Sequence, residues 1–94
     1  MMKKWNEFIL ESDQNINTWK EEDNKLKKTF KFKDFQEAFS FITKVASLAE
    51  EHQHHPKWSN LYNIVEIELS THDSGDVVTQ KDYELAEAID KIVL

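Results

Sequence analysis

The sequence predicts an α+β domain in which helices pack on one face of an antiparallel sheet. Apolar residues recur at helical spacing within residues 34–52 and again after residue 79. Between and before these segments, apolar and polar residues alternate within 26–33 and 62–71, as they do in strands. Because the two patterns follow one another in mixed order, we expect two helices and three or four antiparallel strands in a single domain spanning residues 1–94.

Residues 19–33 are predicted to form a β-hairpin. Its turn falls at "EDNK", and the strand "LKKTFKFK" follows, with Lys28 as a break in the alternation. We interpret the basic run as the solvated face of this strand rather than as a site for an anionic ligand. The apolar face would carry Leu26, Phe30 and Phe32, and the basic face Lys27, Thr29, Lys31 and Lys33.

The first helix is predicted over residues 34–52. Asp34 can cap its start, and Glu37 three residues later can complete a capping box. Phe41 and Leu48 widen the apolar stripe beyond one face, which favours a second packing surface such as a subunit contact. The stripe itself is predicted to consist of Phe35, Ala38, Phe39, Ile42, Val45, Ala46 and Ala49.

Two further elements are predicted after the helix. Pro56 cannot continue a helix, so "HQHHPKW" is interpreted as the helix exit and a turn. The strand "YNIVEIELST" follows, with Val65, Ile67 and Leu69 on one face. Thr79, with Asp82 three residues later, then opens a second helix. Its apolar stripe would consist of Leu85, Ala88, Ile89 and Ile92. The start of the chain, residues 1–18, is predicted to hold a short packed element and a loop.

Composition limits the classes of function. The formal net charge of −6 argues against a nucleic-acid surface, which needs clustered basic residues. The absence of cysteine excludes a disulfide framework, a thiolate nucleophile and a Cys-ligated zinc site. Neither a signal peptide nor an apolar run of membrane-spanning length is found, so a cytoplasmic location without membrane contact is expected.

All four histidines, at positions 52, 54, 55 and 72, fall within "EHQHHPKWSNLYNIVEIELSTHD". A metal site is one interpretation, with Glu50, Glu51 and Asp73 as further ligands, but the spacing matches no known ligand motif. A metal-free acid/base site is another, because imidazoles with a pKa near 6.5 can both give and accept a proton at neutral pH. The third is that these side chains are exposed and have no catalytic task.

Residues 32–73 resemble the pterin-4a-carbinolamine dehydratases, and "VTQKDYELAEAID" continues the resemblance to about residue 92. The most specific motifs are "HHP", the Trp two residues after that proline, "N-x-Y-N-x-V" at 60–65 and "L-S-T-H" at 69–72. The resemblance implies a four-stranded antiparallel sheet with two or three helices on one face. It also implies homo-oligomers, either dimers formed through sheet edges or tetramers formed through helices.

The activity that the resemblance implies is loss of water from a 4a-hydroxytetrahydropterin. The product is the quinonoid dihydropterin, which a reductase can recycle after aromatic amino acid hydroxylation. The family uses no metal or organic cofactor, so the pterin is the substrate. The runner-up hypothesis is a non-catalytic binding or dimerisation module acting as a partner of another protein, since the family also assists a homeodomain transcription factor in animals.

The resemblance also implies the site residues. His54 and His55 are the histidines of "HHP", and His72 closes "LSTH". We expect His54 and His72 to transfer protons and His55 to hold the pterin, with the direction of transfer left open. His52 is set aside as a surface residue. The expected pterin contacts are Gln53, Trp58, Ser70, Thr71 and Asp73.

Two carboxylates, Glu50 and Asp82, are expected to orient an imidazole or raise its pKa. The sequence also departs from the family at three places. Gln53 stands where many members carry an acidic residue. The loop "DSGDVVT" is one residue longer than a common "DAGGLT" form, with Asp76 where a glycine often stands. Residues 1–18 match the family's usual amino-terminal helix poorly.

Overall fold

The computed structural model describes residues 18–93, so the element predicted at the start of the chain lies outside the described part. Four strands form one antiparallel sheet in the order β1-β2-β4-β3, with two helices against it. The predicted α+β class with a four-stranded sheet is therefore confirmed. The elements are β1 (Lys20–Glu22), β2 (Lys25–Lys31), α1 (Phe35–His52), β3 (Lys57–Leu61), β4 (Ile64–Leu69), a 3-10 turn (His72–Ser74) and α2 (Gln80–Ile92).

The predicted hairpin is present as β1 and β2. Asp23 and Asn24 form its turn with φ values of 54° and 62°. Two successive left-handed residues match the twist of the flanking strands, and Asp and Asn adopt this conformation at lower cost than other side chains. The turn therefore sets the β1–β2 register, in which Glu22 lies opposite Lys25.

Lys28, which breaks the alternation of β2, faces the core side of the sheet. It lies opposite the buried Ile67, and its side chain is only 9% exposed. Its ammonium donates to Asp90 Oδ1 at 2.8 Å, and Trp19 Nε1 donates to the same oxygen at 3.1 Å. The ammonium also lies 4.9 Å from the centroid of the Phe30 ring. The interpretation of Lys28 as part of a solvated basic run is therefore wrong, because its side chain is buried. The ion pair with Asp90 of α2 offsets the cost of burying the charge.

Asp34 caps helix α1 as predicted, but the capping box is not formed, because Glu37 accepts from the residue before the cap. Asp34 accepts from the Glu37 N–H at 2.8 Å, and Glu37 Oε1 accepts from the Lys33 N–H at 2.8 Å. The prediction of which residues face outward was wrong, because Phe41 is buried whereas Phe35 and Phe39 are 47% and 54% exposed. The buried stripe is Ala38, Phe41, Ile42, Val45 and Ala49, while Ala46 is exposed.

Strand β3 begins within the predicted turn, at Lys57, and continues to Leu61, where no element was predicted. All five of its residues, Lys57–Leu61, are exposed, because the strand is at the sheet edge and, among residues 18–93, pairs with β4 alone. Strand β4 begins at Ile64 rather than at residue 62, since Tyr62 has a φ of 52° and belongs to the β3–β4 turn. An exposed edge strand has no buried face, so its sequence shows no apolar alternation.

Helix α2 packs against α1 and completes the hydrophobic core. Its capped start at Thr79 agrees with the prediction, and Leu85 and Ile89 are fully buried. Ala86 is buried in place of the predicted Ala88, which is half-buried. Val65, Ile67 and Leu69 point inward as predicted. Within residues 18–93, no helix combines the length and apolarity needed to cross a bilayer.

Candidate active site

The site begins where α1 ends. Gln53 adopts a left-handed conformation with a φ of 51°, and its backbone N–H bonds to the carbonyls of Ala49 and Glu50. Its side-chain Nε2 also donates to the Glu50 carbonyl at 2.8 Å. The N–H of His54 bonds to the Ala49 carbonyl at 3.0 Å. These bonds satisfy the last carbonyls of the helix and turn the chain sharply, so that His54 and His55 follow on the exit.

His54 is held by a buried carboxylate. Its Nε2 donates to Asp82 Oδ1 at 2.5 Å. The Asp82 side chain is fully buried and that of His54 is 11% exposed. Because Nε2 is taken by the carboxylate, Nδ1 is the His54 nitrogen that remains able to exchange a proton.

The same carboxylate also closes the start of α2. Asp82 Oδ2 accepts from Thr71 Oγ1 at 2.8 Å and from the Thr79 N–H at 2.8 Å. The Thr79 hydroxyl lies 2.6 Å from that of Thr71 and donates to it, since Thr71 itself donates to Asp82. The site therefore joins the exit of α1, the segment after β4 and the first turn of α2. Thr71, an expected pterin contact, is 4% exposed, and its hydroxyl supports Asp82.

His55 forms a separate, exposed pair. Its Nε2 lies 2.6 Å from Glu50 Oε2, and the two side chains are 62% and 72% exposed. An exposed pair of this kind contributes about 0–1 kcal/mol to stability. It orients the His55 ring but leaves it accessible to a ligand.

His72 comes directly after Thr71 and is 90% exposed. Its Nδ1 donates to Asp76 Oδ1 at 2.8 Å. The hydrogen bond to Asp76 is the main cause that raises the pKa of His72 above its ordinary 6.5, followed by the negative charge of Asp76. Partial desolvation opposes this rise, and the charge of Asp73 adds to it.

The remaining expected contacts lie around these histidines. In the β3–β4 register Lys57 is opposite Glu68, which brings the carboxyl end of β4, with Ser70, beside the His55–Pro56 exit. Trp58 lies opposite Ile67 on the helix side of the sheet and is 36% exposed. Asp73 and Gln53 are exposed.

His52 does not join this set. It lines a shallow groove between α1 and α2 together with Leu48 and Ile92. Within residues 18–93, no group of three or more His, Asp or Glu side chains has an arrangement that could hold a metal ion.

Sequence reasoning did not assign a role to Asp76. Its pairing with His72 depends on the 3-10 turn at His72–Ser74 and on the left-handed residues after it, which bring position 76 back to position 72. The i, i+4 spacing of histidine and aspartate was the available signal, but it gives a contact only in a helical or turn backbone.

A buried carboxylate fixes one imidazole, and two accessible imidazoles lie on the adjoining segments of the α+β scaffold. Such an arrangement is able to support acid/base chemistry by histidine. The chain belongs to the pterin 4 alpha carbinolamine dehydratase family, whose model matches residues 4–92. The resemblance found in the sequence is thus confirmed.

Several known proteins are similar to this chain. One from Prochlorococcus marinus is 51% identical over 84 residues, which cover 89% of this chain and 86% of that protein. One from Sulfolobus acidocaldarius is 53% identical over 77 residues, which cover 82% of this chain and 84% of that protein. Both are provisionally named pterin-4-alpha-carbinolamine dehydratases. A crystal structure of a protein from Brucella melitensis, described as a transcriptional coactivator/pterin dehydratase, matches with a TM-score of 0.75 and 36% identity, covering 89% of this chain and 96% of that one.

Proposed function

We propose that this protein dehydrates a 4a-hydroxytetrahydropterin to the quinonoid dihydropterin and water by metal-free histidine catalysis. The observation that carries the proposal is the His54–Asp82 pair, in which a fully buried carboxylate fixes an imidazole. The same carboxylate accepts from Thr71, the residue before His72. Family membership supplies the substrate class. The quinonoid product would be reduced by a separate reductase, which gives the protein a place in recycling a tetrahydrobiopterin-type cofactor.

The reaction needs one proton donor and one proton acceptor. The C4a hydroxyl leaves as water after it receives a proton, and the neighbouring ring nitrogen loses its proton as the double bond forms. His54 and His72 are proposed as this pair, and the exposed His55 as a group that holds the pterin. Trp58, Gln53, Ser70 and Asp73 would contact the rest of the flat ligand.

A turnover assay in the presence of EDTA tests this function. The wild-type protein should accelerate decay of a 4a-hydroxytetrahydropterin, and the chelator should not reduce the rate. His54→Gln keeps a donor for Asp82 but cannot exchange protons, so its rate should be lower than that of the wild-type protein by a factor of about 10²–10⁴. His72→Ala should lower the rate by a similar factor.

His52→Ala is the matched control, because His52 lies in the groove outside the site and should keep the full rate. Circular dichroism of each variant establishes that the fold is retained. No acceleration by the wild-type protein, or full rates in both site variants, would refute the proposed function. Loss of the rate with EDTA would instead favour a metal site.

We further propose that the protein forms homo-oligomers through the β3 edge. In the part of the chain that the structure describes, strand β3 pairs on one side only, and its Leu61 is 77% exposed. An edge with apolar side chains and unpaired backbone groups is a template for another strand. A second copy of the chain satisfies both features by pairing edge to edge.

A binding module remains the second candidate function. The exposed Phe35 and Phe39 on α1, whose ring centroids lie 6.0 Å apart, favour a partner surface. The Brucella melitensis protein is described as a coactivator as well as a dehydratase. Pterin binding without turnover, together with loss of partner binding on Phe39→Ser, would support this second function over catalysis.

A further inference from the structure

The loop after His72 holds a strained residue. Gly75 and Asp76 both adopt left-handed conformations, with φ values of 91° and 60°. A non-glycine residue at such a φ costs free energy, although Asp tolerates it better than most. The surrounding bonds fix the conformation, since the Asp76 N–H bonds to the Thr71 carbonyl at 3.1 Å and Val77 pairs with Thr71.

The strained backbone brings the Asp76 carboxylate into hydrogen-bond contact with His72, which is proposed to transfer a proton. Asp76 Oδ1 lies 2.8 Å from His72 Nδ1. With Nδ1–H donated to this carboxylate, Nε2 is the nitrogen of His72 that can exchange a proton with a ligand. The ring is otherwise 90% exposed, so Asp76 is the side chain that fixes its orientation.

We propose that Asp76 is a positioning residue that holds His72 as the proton donor to the C4a hydroxyl, an inference that rests on the function proposed above. The protonated imidazole gives its Nε2 proton to the hydroxyl oxygen. The C4a–O bond then breaks, and its electron pair leaves with the water. The adjacent nitrogen forms the new double bond to C4a with the electron pair of its N–H bond, while the proton passes to the second imidazole, His54.

The charges around His72 favour the donor role. Asp76 and Asp73, both in the same loop, are the carboxylates that raise its pKa above 6.5, and burial opposes them only partly. A larger fraction of His72 is therefore protonated at neutral pH. Because a donor must carry its proton, the rate should fall as pH rises through this pKa, and removal of Asp76 should move that fall to lower pH.

Two substitutions remove the charge of Asp76, and they differ in whether an acceptor for His72 remains. Asp76→Asn keeps an acceptor oxygen and tolerates the left-handed conformation but removes the charge. Asp76→Gly relieves the backbone strain and removes both the acceptor and the charge. Asp23→Asn and Asp23→Gly are matched controls, since Asp23 also has a left-handed φ, of 54°, but lies in the β1–β2 turn beside Lys27.

The experiment measures the His72 ring titration by NMR, and kcat and KM across pH. In Asp76→Asn and Asp76→Gly, the His72 midpoint and the alkaline fall of kcat should move to lower pH together. At about pH 8 this should appear as a loss in kcat of about twofold or more, with KM unchanged. The Asp23 variants should superimpose on the wild-type profile.

The outcomes distinguish this inference from the function on which it rests. A wild-type protein that turns over the pterin, with Asp76→Gly showing the same profile, overturns the role of Asp76 and leaves the dehydratase function intact. A shift of the NMR midpoint without a shift of the kcat profile overturns the assignment of His72 as donor. A wild-type protein without turnover overturns both proposals.

Discussion

At the scale of single residues, the two histidines proposed to transfer protons are bound by carboxylates in different surroundings. The His54 ring meets a fully buried carboxylate that accepts two further bonds, from Thr71 and Thr79. The His72 ring meets an exposed one, Asp76. A buried acceptor with three donors contributes to stability as well as to orientation, because removing it leaves desolvated donors unpaired. An exposed pair contributes mainly orientation and charge.

Asp82→Asn should therefore reduce the free energy of unfolding by about 1–3 kcal/mol, since the amide cannot accept from all three donors. Urea denaturation followed by circular dichroism measures this change. Asp34→Asn is the matched control at the start of α1, where Asn caps as well as Asp and the change should stay within about 0.5 kcal/mol. Equal midpoints for Asp82→Asn and the wild-type protein would contradict the role given to this carboxylate.

Residue-level prediction from sequence succeeded where local spacing carries the information. The place of Asp82 three residues after Thr79 predicted its role at the start of α2, and the structure shows that contact. Its contact with His54, 28 positions away, was expected only from the family resemblance. Lys28 was misassigned, because the group that offsets its burial, Asp90, lies 62 positions away in the chain. A contact between residues so far apart in the chain cannot be predicted from the local alternation of apolar and polar residues.

At the scale of elements, the helices and strands with a buried apolar face were the ones that the sequence predicted. Helix α1 was predicted nearly to the residue because it is capped by Asp34 and has a buried stripe. Strand β3 was missed because all of its residues are exposed, so no apolar alternation marks it. The end of α1 was placed by Pro56, but the left-handed turn at Gln53 was not foreseen, since glutamine does not favour that conformation.

The Gln53 turn gives a test at this scale. Gln53→Val should destabilise the protein by about 1–2 kcal/mol, because a β-branched residue resists a positive φ and the side-chain bond to Glu50 is lost. Gln53→Asn should change stability by less than about 0.5 kcal/mol, since Asn adopts the left-handed region readily. Thermal unfolding of the two variants measures the difference. If Gln53→Val unfolds at the same temperature as the wild-type protein, the turn does not depend on this residue.

At the scale of the whole molecule, the sheet has two ends of different character. β1 is a three-residue edge strand, Lys20–Glu22, with charged side chains throughout, a composition that discourages strand pairing. β3 is a five-residue edge with Leu61 and Trp58 exposed. The strand order that creates these two edges could not be predicted from local patterns. It depends on pairing between β2 and β4, which are separated in the sequence by α1 and β3.

Sedimentation velocity tests which edge is used. The wild-type protein should sediment as an oligomer, and Leu61→Asp should raise its dissociation constant by about tenfold or more, because pairing would bury an unpartnered carboxylate. Lys20→Asp, a change to aspartate on the opposite edge, should leave association unchanged. A monomeric wild-type protein, or dissociation caused by Lys20→Asp instead, would rule out the β3 edge.

The carboxylate of Asp82 has one more consequence, for local unfolding. It binds the Thr79 amide of the first turn of α2 as well as the His54 ring, so opening of that turn releases the imidazole. Exchange of the Thr79 amide with solvent deuterium therefore reports the same event that disassembles the site. A ligand that binds only the assembled site slows this exchange in proportion to its saturation, which makes one backbone amide a readout of occupancy without any turnover.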